Sequence, residues 1–257
     1  MDLLIGTLVL RPYVFAFVAA FLVAAALDFG WRRTLRFAAW ATPLAWLSEF
    51  TSTRIGIPFG LYHYTGLTRG QELFVADVPL MDPLSFSFLT YASFCLARGA
   101  LSPRPVSPAV LALTSGLLML LLDVVIDPVA VRGGRWFLGP VFAYAEPGVY
   151  FGVPLSNFAG WMILGTVTVG GYLTGERRRP DGLTGWGTRE GDRHGRRAWP
   201  GIALYYAVLA FNLAVTAWIG EWRLLIIGTA VHVVTAVMLW SLGLRPAVRL
   251  GLEKQRA

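Results

Sequence analysis

Apolar residues run along the chain in long blocks separated by short polar stretches. Each block is close to the ~20 residues that a helix needs to cross a bilayer. Seven stand out, at roughly 11–30, 35–53, 79–98, 108–128, 153–174, 200–219 and 223–243. The fourth and sixth are the cleanest; the second carries Pro43 and Glu49, and the third holds Asp82-Pro83 near its start. Residues 1–10 are apolar but too few to span, which places them at the membrane interface. The pattern predicts an all-α protein, a polytopic membrane helical bundle of about seven transmembrane helices that forms one integral membrane domain over residues 1–257.

Composition agrees with the pattern. Of 257 residues, 56% are hydrophobic and 14% charged, where a soluble domain carries about a quarter charged residues. Cys95 is the single cysteine, so neither an intramolecular disulfide nor a metal site built from several cysteines can form. It falls in an apolar run and reads as a small core residue. Residues 1–10 lack a basic n-region and no small-residue cleavage site follows the first block, so no cleavable signal peptide is expected.

The net charge of +7 would suit nucleic acid if it formed a patch, but it is spread as membrane topology. Seven arginines fall in 175–199, and four basic residues in 244–257. Together with the loops after the first and third blocks, these segments hold sixteen of the 22 basic residues. The positive-inside rule puts them in the cytoplasm, with the C-terminus inside and the N-terminus outside. The loops 54–78 and 129–152 then face outward. Residues 175–199 read as a flexible basic cytoplasmic loop that touches anionic lipid headgroups, with His194 solvated, and 244–257 as a basic cytoplasmic tail. Membrane lipids are expected partners; nucleic acid is not.

Against this apolar background, the acids Glu49, Asp82, Asp123, Asp127 and Glu146 lie in or at the ends of the blocks. Carboxyl groups are costly in hydrocarbon, so each is a functional-site hypothesis. Asp123 and Asp127 are four apart and share a helix face. Two acids so close in an apolar setting do not both ionise readily, which leaves one protonated near neutral pH, the state of a proton donor. Asp127 precedes Pro128, where a helix usually ends, so it also has a plain role as a loop tether through backbone N–H groups or Arg132. Glu49 reads as a general acid or a water-holding base, or else as an ion-pair partner of Arg54. Asp82 reads as a site acid or a helix cap. Asn157 reads as a partner of an acid or a water, or as interhelical glue. Asp77 and Glu72, in the outer loop, are expected to be solvated.

Aromatic, glycine-rich and proline-rich phrases flank these acids: Gly56-Ile-Pro-Phe-Gly-Leu-Tyr-His-Tyr64 and Tyr150-Phe-Gly-Val-Pro-Leu-Ser-Asn-Phe-Ala-Gly-Trp161. Phe59, Tyr62, Tyr64, Trp136, Phe151, Phe158 and Trp161 are expected to line or pack a pocket, and aromatic faces can stabilise a cation or stack on a polyene. Some of the tyrosines also read as an interfacial belt. His63 is a weaker candidate base, and His232 reads as a hydrogen-bonded core histidine. Val78-Pro-Leu-Met-Asp82 and Val153-Pro-Leu-Ser-Asn157 echo each other; if they mark a duplication, their polar ends face one cavity.

Absences narrow the chemistry. The one lysine, Lys254, lies in the tail, which excludes a retinal Schiff base within the membrane, and three histidines cannot build a histidine-rich di-iron site. No phosphate-binding glycine motif lies in a strand–helix setting. Asp123-x-x-x-Asp127 lacks the fuller aspartate-rich pattern and second copy that hold magnesium in membrane prenyltransferases. No metal is expected.

From about Trp46 to Gly175 the phrases quoted above resemble the membrane carotenoid-biosynthesis family typified by carotenoid 1,2-hydratases of the CruF (bisanhydrobacterioruberin hydratase) type. Glu49 with Gly56–Tyr64, Val78-Pro-Leu80, Asp123…Asp127-Pro128, Gly134-Arg-Trp136 and Tyr150–Trp161 carry the resemblance, the last most specifically. Asp82-Pro83 stands where that family has an apolar stretch ending in Trp. The resemblance implies a cofactor-free hydro-lyase in a prokaryotic inner (plasma) membrane, adding water to the terminal C1–C2 double bond of an acyclic (ψ) carotenoid end group, alongside other carotenoid enzymes. Glu49, Asp127, Asp123 and Asp82 are then the catalytic candidates. Asn157, Tyr62, Tyr64, Phe59, Trp136, Phe151 and Trp161 are the substrate-binding ones. A proton-coupled carrier, a carotenoid end-group cyclase and a non-catalytic scaffold are the rival readings.

Overall fold

The computed structural model describes residues 2–101, 106–179 and 198–241. A short helix α1 (Leu3–Leu10) meets α2 (Pro12–Phe29) at Arg11, with Pro12 in the first turn of α2, where its missing N–H costs nothing. Gly30 ends α2 and leads directly into α3 (Trp31–Ile55). After a long loop come α4 (Met81–Leu101) and α5 (Pro108–Ala130), the latter capped by the Ser107 hydroxyl. A second loop precedes α6 (Leu155–Arg177), and α7 (Trp199–Trp218) and α8 (Trp222–Leu239) complete the bundle.

Among the described residues, α2, α4, α5, α7 and α8 are long and apolar enough to cross a membrane. Helices α3 and α6 have the length, 25 and 23 residues or about 37 and 35 Å, but carry charged ends. The protein is an all-α membrane bundle, and the seven long helices coincide with the seven apolar blocks. Helix α4 is its axis, with 83% of its apolar window buried against 22% for α8, and it touches α2, α3, α5, α6 and α7. The outer face of α8 is a row of exposed aliphatics, among them Ile226, Val233, Val234 and Val237. Trp31, Trp199, Trp218, Trp222 and Trp240 stand exposed at helix ends, as an interfacial belt does.

Helix α5 packs most intimately on α6, because Gly116 and Gly165 let the two backbones touch. Ion pairs tie other helix ends. Asp28 of α2 holds Arg98 of α4 at 2.6 Å, beside Tyr91 and Cys95, and Glu176 of α6 holds Arg36 of α3 at 2.7 Å. Cys95 is buried, and His232 Nε2 hydrogen-bonds the Leu121 carbonyl at 2.9 Å, as expected of core residues.

Three expectations are corrected. Pro128 does not stop α5, which runs on to Ala130; burial of Pro128, Val129 and Ala130 outweighs the lost backbone hydrogen bond. Helix α6 reaches Arg177, so the basic loop cannot begin at residue 175, and Glu176 is drawn into the helix by its arginine partners. Glu72 is not solvated, since its side chain is fully sealed against Arg11. The rest of the basic loop, with His194, and the tail 244–257 lie outside the described residues.

Candidate functional site

The loop between α3 and α4 and the loop between α5 and α6 fold onto each other over one end of the bundle. Strand β1 (Tyr62–Tyr64) pairs antiparallel with β4 (Phe142–Tyr144), while β2 (Phe74–Val75) and β3 (Val78–Pro79) form a second small ribbon. In β1 and β4 aromatics alternate with His63 and Ala143, so Tyr62, Tyr64, Phe142 and Tyr144 share one face of the ribbon. Their rings meet edge-on at 5.6–5.9 Å. The phrase around Pro58-Phe59-Gly60 docks on α6. A Cβ on Gly160 would lie 2.6 Å from the Phe59 ring, and one on Gly60, whose φ is +90°, would lie 2.8 Å from the Ser156 hydroxyl. Both glycines are there because backbone meets side chain with no room between.

Beneath this cover lies a cavity of about 970 Å³, counted with its open mouth. Glu49, Asp82, Asp127 and Asn157 reach it from α3, α4, α5 and α6. Phe59, Tyr62, Tyr64, Trp136 and Trp161 line it, joined by Phe86, whose ring lies 4.5 Å from that of Trp161. Farther out, Tyr13 and Phe17 of α2, Phe88 of α4 and Phe211 of α7 make an aromatic wall.

The acids have distinct partners. Glu49, 3% exposed, accepts a hydrogen bond from the Tyr64 phenol at 2.5 Å. Asn157 bridges the second pair, its Nδ2 donating to Asp123 Oδ2 at 2.6 Å and to Asp127 Oδ2 at 2.7 Å. The Tyr144 phenol also donates to Asp127, at 3.3 Å. Asp123 is wholly buried behind Asp127, and its Oδ1 has no hydrogen-bond partner among the described residues. Burial first, then the neighbouring Glu49 carboxyl, pushes the Tyr64 and Tyr62 phenols well above their ordinary values. Burial and Asp127 do the same for Tyr144. Tyr64 and Tyr144 therefore act as neutral donors.

Asp82 is held differently. Arg11, 2% exposed, grips Glu72 with two parallel hydrogen bonds, Nε to Oε2 at 3.0 Å and Nη2 to Oε1 at 2.9 Å, and reaches Asp82 Oδ1 with Nη1 at 3.1 Å. Burial works against the guanidinium's charge, but Asp82, Tyr13 and Glu72 together outweigh it and raise its pKa.

Arg54 pairs with Asp77, not Glu49, and Arg132 with Glu221, not Asp127. Asp77 remains solvent-exposed, as expected. Phe151 packs under Arg132 and beside Val129, Val215 and Leu224, outside the cavity lining. Phe158 packs on Tyr150, and His63 and Glu146 are exposed. Among the described residues no three histidine, cysteine or carboxylate side chains gather to hold a metal ion. Sequence reasoning missed Arg11, Glu72 as its partner, and Tyr144. A readable signal for Tyr144 was the aromatic-x-aromatic alternation that Phe142-Ala-Tyr144 shares with Tyr62-His-Tyr64.

A lipid-facing helical bundle that hides carboxyls and an amide in an aromatic cavity defines an integral membrane protein with a site for an apolar ligand. The chain matches the family described as carotenoid biosynthesis protein over residues 8–238, and it belongs to that family. It is also 35% identical over 121 residues to the bisanhydrobacterioruberin hydratase of Haloarcula japonica, a match covering 47% of this chain and 38% of that protein. No solved structure matches the chain significantly.

Proposed function

We propose that this protein is a carotenoid hydratase, adding water to the terminal C1–C2 double bond of an acyclic carotenoid end group. The observation that carries the reading is the convergence of Glu49, Asp82, Asp127 and Asn157 on one aromatic-lined cavity. Family membership and the similarity to a hydratase over part of the chain support it.

Hydration of such an alkene needs a proton for C2, stabilisation of a tertiary cation at C1, and a placed water. A protonated carboxyl, Asp127 or Glu49, supplies the proton, forming the C2–H bond from the π electrons. General acids of this kind are worth about 10²–10⁴ in rate. Water then forms the C1–O bond, and the carboxylate just formed takes the surplus proton back, so the sum is one water added and no cofactor consumed. Asp123, unpartnered at Oδ1 and sharing the Asn157 amide with Asp127, favours a proton held on the pair, because two close buried carboxyls do not both ionise readily when one oxygen lacks a donor. The faces of Phe59, Tyr62, Phe86 and Trp161 favour the cation.

The end group lies in the cavity, while the rest of the polyene passes the aromatic wall of Tyr13, Phe17 and Phe211 toward lipid. The site sits toward the outer face of a prokaryotic plasma membrane, with the C-terminus in the cytoplasm, where lipids and other carotenoid enzymes are neighbours. The test is expression in a lycopene-producing bacterium with mass analysis of the extracted pigments. A gain of one or two waters that is lost in Glu49→Gln or Asp127→Asn supports the reading. Unaltered pigment across several acyclic carotenoids, solute flux in proteoliposomes, or a cyclised product of unchanged mass overturns it.

A further inference from the structure

The three carboxyls that face the cavity differ in the kind of partner they keep. Glu49 accepts from a phenol, and Asp127 from an amide and a phenol. Those donors are neutral and tolerate a protonated acid. Asp82 accepts from a guanidinium, which never gives up its proton in a protein and so favours the carboxylate.

The geometry of Arg11 makes this more than a surface ion pair. Its fork onto Glu72 uses Nε and Nη2, which fixes the guanidinium plane, and Nη1 donates in that plane to Asp82. Such bidentate pairs carry orientation as well as energy. Glu72 is sealed, with 0% of its side chain exposed, whereas 24% of the Asp82 side chain is exposed and Asp82 lines the cavity. With both carboxylates ionised, two negative charges meet one positive, and the excess faces the cavity on Asp82.

We propose that Arg11 is a positioning residue: it holds Asp82 as an oriented carboxylate, and Asp82 is the counter-charge to the cation at C1. Asp82 takes no proton; Glu49 or Asp127 gives the proton and recovers it from water. This role rests on the hydratase reading above. Removing one preorganised charge aimed at a developing opposite charge costs about 10²–10³ in kcat, by analogy with oxyanion-hole donors.

The experiment measures kcat and KM for water addition to an acyclic carotenoid in proteoliposomes of the full chain. The variants are Arg11→Gln, Arg11→Lys, Asp82→Asn and the Arg11→Gln/Asp82→Asn double. The expected result is a loss of about 10²–10³ in kcat for Arg11→Gln and for Asp82→Asn, with KM little changed. The double should be no slower than the slower single, since both remove one unit. Arg11→Lys should regain part of the rate by restoring the charge without the fork. A clamp that merely holds the loop would lower protein yield and thermal stability and leave kcat of the folded fraction intact. Wild-type kcat in Arg11→Gln, multiplicative losses in the double, or no gain from Lys over Gln overturns the role. Should Arg11→Gln fail to fold, wild-type kcat in Asp82→Asn overturns it alone. Wild-type protein that adds no water overturns the hydratase reading itself, whereas active wild type with active Arg11→Gln overturns only this inference.

Discussion

Asn157→Leu isolates the bridge that joins α6 to the acid pair of α5. Leucine keeps the size of the side chain and removes the Nδ2 that donates at 2.6 Å to Asp123 and at 2.7 Å to Asp127. Interhelical hydrogen bonds in membranes average only about 0.6 kcal/mol each, so the two bonds alone give about 1 kcal/mol. The larger effect is what remains behind: Asp123 is wholly buried and its Oδ1 already lacks a partner among the described residues. An orphaned buried acceptor costs about 1–3 kcal/mol, so the total is about 2–4 kcal/mol. For a domain of this size that lowers Tm by roughly 2–4 °C per kcal/mol, or about 4–16 °C. The bundle should still assemble, because Gly116 and Gly165 close the same helix pair by packing alone. Thermal unfolding in detergent and pigment conversion, run on the same preparation, read both consequences. Conversion should drop far more than folded protein does, since Asp127 loses the amide that orients it. Wild-type Tm together with wild-type conversion would refute the idea that Asn157 organises the acids.

Other outcomes follow from the same geometry. Tyr64→Phe removes the phenol that donates to Glu49 at 2.5 Å; conversion should fall about tenfold or more, for a hydrogen bond to a charged or acidic partner worth about 1.5–3 kcal/mol, with unchanged yield of folded protein. Gly116→Ala puts a methyl against Thr166 and the Met162 carbonyl, an overpacking cost of about 1–3 kcal/mol; Tm and conversion should fall together, as α5 and α6 carry opposite halves of the acid bridge. At the exposed loop, hydrogen bonding to Arg69, then charge from Arg69 and Arg54, holds the Asp77 carboxyl below its ordinary range. A depressed carboxyl stabilises above its unfolded value and loses that as pH falls through the folded one. Protection factors for amide exchange across 69–77, corrected for the intrinsic pH dependence of exchange, should therefore stay constant from neutral pH down to about 4 and fall only below it.

What was legible in the sequence was what local pattern encodes. Long apolar blocks mark helices at any depth of the bundle, and acids inside them invite a site reading, which brought out Glu49, Asp82 and Asp127 before any geometry, although Asp28, similarly placed, serves as an ion-pair tie to Arg98. The echoing phrases ending at Asp82 and Asn157 do bring both polar ends to one cavity. What was not legible depends on contacts between distant segments. Arg11 sits at the edge of an apolar block, where a basic residue ordinarily reports topology, and its partner Glu72 is 61 positions away in a loop. Tyr144 gains its role only through the pairing of β4 with β1. Phe151 has the composition of a pocket residue, yet its backbone, with φ at +51°, turns it toward Arg132 and away from the cavity lining. Asp123 and Asp127 share a face as their spacing requires, but only the one nearer the helix end lines the cavity.

The most direct test of the central claim is isotopic. Purified protein in vesicles, loaded with an acyclic carotenoid and suspended in oxygen-18 water, is extracted and the pigments analysed by mass spectrometry. The hydratase account predicts one heavy oxygen per reacted end, located in a tertiary alcohol, and none with Asp127→Asn or Glu49→Gln. A pigment that changes without taking up the heavy oxygen, or one that takes it up equally in both variants, would contradict it.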